Sequence, residues 1–171
     1  MTDREEKIKA AINWEQGVEQ FGEDEEMFEM MIGKFEPMSF NEGLKKLHDQ
    51  AVSKDWTEFR RTAHTLKGAS AYIAATSVQE ISLQLQLICD KFFKQIEEKT
   101  LPPGGQEKFE QEVIEMLLYF YHEAKYLKER IAQITKQPCD LSEVEFYEFD
   151  IKTKYPQKSH PACCGGCTIF Q

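Results

Sequence analysis

The sequence predicts an all-α protein: an up-and-down four-helix bundle with short extra N-terminal helices and a non-helical C-terminal tail. Three observations carry this. Apolar residues recur at three-and-four spacing through successive long segments. A capping residue followed three positions later by Glu or Gln recurs at Asn13/Gln16, Ser39/Glu42, Asp55/Glu58 and Ser77/Glu80, which is the signature of a helix start. No strand signal interrupts the body, and short connections near Lys54 and Thr76 force neighbouring helices to run antiparallel.

An opening charged helix comes first, then a short helix near Trp14 to Phe21, which caps one end of the bundle or flanks the site. The next runs from about Asp24 to Glu36, and its Met31, Ile32 and Phe35 belong either to the core or to a docking patch. Pro37 is expected to kink or break the chain before a helix from Phe40 to Ser53, because proline lacks the N–H that a helix interior needs. A helix from Trp56 to about Ala74 turns Phe59, Ala63, Leu66, Ser70 and Ile73 inward. The following helix carries Val78, Ile81, Leu85, Ile88, Phe92 and Ile96 on one stripe, with Cys89 as a buried thiol. After the turn Leu101-Pro102-Pro103-Gly104-Gly105, a last long helix is marked by Phe109, Val113, Met116, Phe120, Leu127, Ile131 and Ile134. His48 and His122 lie among packing residues and read as structural.

With 171 residues, of which 41% are hydrophobic and 12% aromatic, the chain can supply one core. The division expected is a bundle over 1–137 and a tail over 138–171. A formal net charge of −9 argues against nucleic acid as a main partner, since phosphate backbones require a basic surface. No stretch approaches the roughly 20 apolar residues that span a bilayer, and Met1-Thr2-Asp3-Arg4 is charged rather than signal-like, so a cytosolic or nuclear protein is expected. Five cysteines, an odd number, do not form a secreted disulfide framework.

In the tail, Glu143 to Ile151 is read either as an extended segment or as one docked through Phe146, Tyr147 and Phe149. His160, Cys163, Cys164 and Cys167 are zinc-ligand types, but they lack the two separated pairs of structural zinc sites. S-acylation of Cys163 and Cys164, tethering the chain to a membrane, is one reading of the tail; an unmodified tail is the other.

Function concentrates in Ala63-His64-Thr65-Leu66-Lys67-Gly68. The inward face of this helix leaves His64 pointing outward, with Lys67 and Gly68 as its surface neighbours at three and four residues, a Cβ separation of about 5–6 Å. Helical side chains lean toward the N-terminus, which brings the Lys67 ammonium over the turn of His64, where it can neutralise a phosphoryl group on the ring. Glycine inside a helix costs about 1 kcal/mol relative to alanine, and its use at Gly68 opens room beside His64 for another protein's active site. A neutral imidazole has one nitrogen free as a nucleophile. No phosphate-binding glycine loop is present to hold ATP, so the phosphoryl donor is expected to be another protein. Arg60, Arg61 and Lys67 form a basic cluster suited to an acidic partner site.

This block resembles the histidine-containing phosphotransfer domain, whose hallmark is Ala-His-x-Leu-Lys-Gly on a bundle helix. Ala63, His64, Leu66, Lys67 and Gly68 fit without a gap, and the likeness extends loosely from Asn13 to about Ile134, including Asp55-Trp56. The resemblance implies a phosphocarrier, not an enzyme, in which His64 accepts a phosphoryl group from a receiver-domain aspartate and passes it to another. The implied partners are receiver domains of a hybrid histidine kinase and of a response regulator. Any magnesium belongs to the receiver, so no metal or cofactor is expected at His64. It further implies that Gln86, on the following helix, hydrogen-bonds the ring. Ala74 stands where the family usually has glycine, which leaves the end of the helix open. The alternative is a non-phosphorylated helical adaptor that binds receiver domains.

Overall fold

Four of the helices described begin where a polar side chain is in place to accept an otherwise unpaired backbone N–H. The computed structural model describes residues 2–156. Thr2 and Glu5 form a reciprocal capping box at the start of α1 (Asp3–Ala10). Asn13 accepts from the Gln16 N–H to start α2 (Trp14–Gln20), and Asp24 from the Met27 N–H to start α3 (Glu25–Phe35). Asp55 accepts from the Glu58 N–H at 3.1 Å to start α5 (Trp56–Tyr72).

Two of the expected caps are not used. α6 (Thr76–Glu97) begins after Ala75, ahead of Ser77, and Ser39 lies inside a π-helical turn, Glu36–Phe40, that joins α3 to α4 (Asn41–Ser53). Of the kink or break expected at Pro37, the break does not occur, because the wider turn keeps the chain helical around a residue without an N–H. The Lys128 ammonium, which is buried, pairs with Glu36 and donates to Asn41 Oδ1 at 2.8 Å, tying this turn to α7 (Gly105–Thr135).

The all-α bundle expected from the sequence is what forms, and among the described residues there is no strand. α5 packs between α4 and α6, and α6 packs on α7. Phe59, Ala63, Leu66 and Ser70 are buried on α5, facing Leu44 and Leu47 of α4 and Val78, Leu85 and Cys89 of α6 among the core residues. Burial pushes the Cys89 thiol up to about 12, so it stays protonated and packs as a small apolar side chain. Gly43 permits the close approach of α4 to α5: a Cβ there would lie 2.5 Å from Leu66 Cδ2.

The N-terminal helices close one end. The Asn13 N–H donates to Ala74 O at 2.9 Å, and the Phe21 ring meets Tyr72 edge-on with centroids 5.2 Å apart. Ile32 and Phe35 are buried, which assigns them to the core rather than to a docking patch.

The expectation of a non-helical tail is corrected over α8 (Ser142–Lys154), which lies against α4 and α7. Val144, Tyr147 and Ile151 are the buried face, while Phe146 and Phe149, two of the three residues expected to dock, stay 57% and 69% exposed. Polar clamps hold the helix: His48 Nε2 lies 2.8 Å from Asp150, Lys125 lies 2.6 Å from Glu148, and the Tyr155 hydroxyl donates to Ala51 O at 2.9 Å. His48 is thereby the structural residue expected of it, buried against the Tyr147 ring at 4.9 Å. His160, Cys163, Cys164 and Cys167, and with them the readings of zinc binding and acylation, lie outside the described residues. Among the described residues no helix is long and apolar enough to cross a membrane.

Candidate functional site

Because Ala63 and Leu66 are drawn into the core, the positions between them on α5 face outward, and His64 is exposed. Its Nδ1 lies 3.1 Å from Gln86 Oε1, across the groove between α5 and α6, a contact that is a hydrogen bond when the ring carries its proton on Nδ1. Nε2 makes no hydrogen bond among the described residues. Gln86 in turn donates from Nε2 to Asp90 Oδ2 at 3.2 Å, one helical turn along α6, and the second Asp90 oxygen accepts from Arg60 Nε on α5. Two residues from each helix thus close a hydrogen-bonded chain that ends on the imidazole.

The Arg60 guanidinium holds the Asp90 carboxyl below the usual carboxylate range, with Gln86 adding to the effect against partial burial, and Asp90 raises Arg60 in return. Asp90 is therefore a charged acceptor at neutral pH.

Lys67, half-buried one turn beyond His64, makes no ion pair among the described residues. This amends the basic cluster expected from sequence. Arg60 is committed to Asp90 and Arg61 to Glu58, so two of its three charges are already neutralised within the protein. Gly68 is exposed, and a Cβ there would meet no heavy atom within 4 Å. Packing within the protein does not require glycine at this position.

Ala74 adopts a left-handed φ of 52°. The Ala75 N–H donates to Ser70 O at 2.9 Å and the Ala74 N–H to Ala71 O at 3.1 Å, a Schellman ending in which this position ordinarily favours glycine. The end left open by Ala74 is therefore a regular helix stop, with the helix ending at Tyr72 rather than Ala74.

The structure thus brings His64 and Gln86 into direct contact and sets Lys67 and Gly68 on the same helix at the expected spacing. Sequence reasoning missed Asp90, the partner of both Arg60 and Gln86. The available signal was the matched four-residue spacing, Arg60 to His64 on one helix and Gln86 to Asp90 on the next, with opposite charges at the outer ends.

The family model of the Hpt domain matches residues 38–134, more than half of the chain. The chain belongs to the Hpt domain family. Comparison with curated proteins and with solved structures finds no match. The Hpt match runs from the π-helical turn to the end of α7 and contains every residue of the site, whereas α1 to α3 and α8 lie outside it. Membership of the Hpt family supports a histidine phosphotransfer role in phosphorelays, that of a phosphocarrier rather than a classical enzyme, with receiver domains as interaction partners.

Proposed function

We propose that this protein shuttles a phosphoryl group between receiver-domain aspartates in a multistep phosphorelay, with His64 Nε2 as the acceptor atom. The observation that carries the reading is the exposed imidazole whose Nδ1 lies 3.1 Å from the Gln86 amide oxygen, a contact that calls for the proton on Nδ1 and so for the lone pair on Nε2. Nε2 attacks the phosphorus of an aspartyl phosphate, the bond between phosphorus and the aspartate oxygen breaks, and the carboxylate departs with the electron pair. The ring becomes cationic, and Gln86 Oε1 and the nearby Asp90 carboxylate stabilise that charge.

Lys67 neutralises the phosphoryl oxygens as they pass, and Gly68 admits the receiver's active-site loops. Magnesium comes with the receiver. The partners are the receiver domain of a hybrid histidine kinase upstream and that of a response regulator downstream, met in the cytosolic or nuclear setting expected from the sequence. ATP binding has no part in this scheme.

The test is incubation with a phosphorylated receiver and magnesium, read by intact mass at alkaline pH. Wild type is expected to gain one acid-labile, alkali-stable phosphoryl group and His64→Gln none. Equal labelling of the variant would remove His64 from the mechanism, and an unlabelled wild type that still binds the receiver would favour the adaptor reading.

A further inference from the structure

Hydrogen bonds in the chain from Arg60 to His64 converge on Asp90, which accepts from both sides, and the orientation of the remaining groups is set at this end, remote from the ring. A guanidinium can only donate and a carboxylate can only accept. Asp90 therefore accepts a hydrogen bond from Arg60 on one oxygen and must be offered the NH2 group of Gln86 on the other. The amide oxygen is then the group left to face the ring, and it accepts from Nδ1–H. Turned over, the same amide would present NH2 to Nδ1, and the ring proton would have to sit on Nε2, the outward nitrogen. An imidazole in that form offers no lone pair to an approaching phosphorus.

We propose that Asp90, held by Arg60, is a positioning residue that fixes the orientation of the Gln86 amide and thereby keeps the His64 proton on Nδ1 and the lone pair on Nε2. Neither residue touches the ring. On the tautomer Asp90 acts through Gln86, in the way that partners beyond the direct ligands fix histidine tautomers at metal sites, while its charge acts on the ring through space. The depressed carboxyl of Asp90 agrees with this, since the acceptor role requires the ionised form.

The consequence for phosphotransfer rests on the reading of His64 as phosphoryl acceptor, but the tautomer can be measured without a partner. Asp90→Asn changes no heavy-atom volume. Arg60 still donates, so the asparagine turns its oxygen to Arg60 and its NH2 to Gln86, which must then offer its oxygen there and its NH2 to the ring. In long-range proton–nitrogen spectra of the full chain, recorded where the ring is neutral, wild type is expected to show a protonated Nδ1 and an unprotonated Nε2. Asp90→Asn is expected to move the population toward protonated Nε2 and to slow single-turnover transfer from a phosphorylated receiver by about tenfold. In the double variant Arg60→Met/Asp90→Asn, the asparagine is free to offer its oxygen to Gln86, and recovery of the wild-type tautomer is expected.

A ring protonated on Nε2 in wild type, or a tautomer that Asp90→Asn leaves unchanged, would overturn the proposal. Inversion of the tautomer with an unaltered transfer rate would leave the positioning role standing and count against Nε2 of His64 as the acceptor.

Discussion

Lys67, Gly68 and Ala74 each test a different physical effect. Lys67→Ala removes a charge that matters most while the phosphoryl group is in flight, so the single-turnover rate is expected to fall about tenfold, about 1.4 kcal/mol of barrier. Receiver affinity, measured by titration, is expected to change much less; an unchanged rate would contradict the role. Gly68 has open space where a Cβ would stand. Gly68→Ala is accordingly expected to stabilise the fold by about 0.5–1 kcal/mol in thermal or denaturant unfolding, while a bulky residue there leaves the fold intact and weakens receiver binding. Wild-type affinity in the bulky variant would remove the access argument. At Ala74 two effects oppose. The left-handed conformation costs an alanine about 1–2 kcal/mol, but its methyl group is buried, and burial of such a group contributes about 0.8 kcal/mol. Ala74→Gly is therefore expected to stabilise the fold by only about 0.2–1.2 kcal/mol, which explains how alanine is tolerated in a glycine position.

At the scale of elements, α8 is the informative case. The stretch Glu143-Val144-Glu145-Phe146-Tyr147-Glu148-Phe149-Asp150-Ile151 nearly alternates apolar and polar residues, which mimics a strand and hides the helical stripe Val144, Tyr147, Ile151. Its pairing partners, His48 and Ala51 on α4 and Lys125 on α7, are distant in sequence, so no local pattern announces the docking. Ile151→Ala is expected to cost about 2–4 kcal/mol and to loosen α8 in amide exchange. The clamp also titrates. Lys154 first and His48 second hold the Asp150 carboxyl below its ordinary range, and Lys45 and then His48 do the same for Asp49. Carboxyls depressed in the folded state stabilise it above their unfolded pKa and lose that contribution as pH falls through the folded value. Protection of α8 amides is expected to decline below about pH 4. Protection that increases on acidification would contradict this sign.

For the molecule as a whole, the four bundle helices and the motif were legible because they depend on local chemistry: the Asp55 cap, the inward Phe59, Ala63 and Leu66, and the spacing of His64, Lys67 and Gly68. The π-helical turn at Pro37 and the pairing of Arg60 with Asp90 were not, since each is decided by packing between helices rather than by the pattern within one. His64 lies at the groove between α5 and α6, whereas α8 lies against α4 and α7. Ile151→Ala is therefore expected to leave transfer at His64 within about twofold of wild type. The central claim concerns one atom, and the most direct measurement is the nitrogen-15 spectrum of the protein phosphorylated by a receiver domain at alkaline pH, observing phosphorus coupling to the imidazole nitrogens. Coupling to Nε2 of His64 alone is expected; coupling to Nδ1, to His48 or to His122 would contradict it.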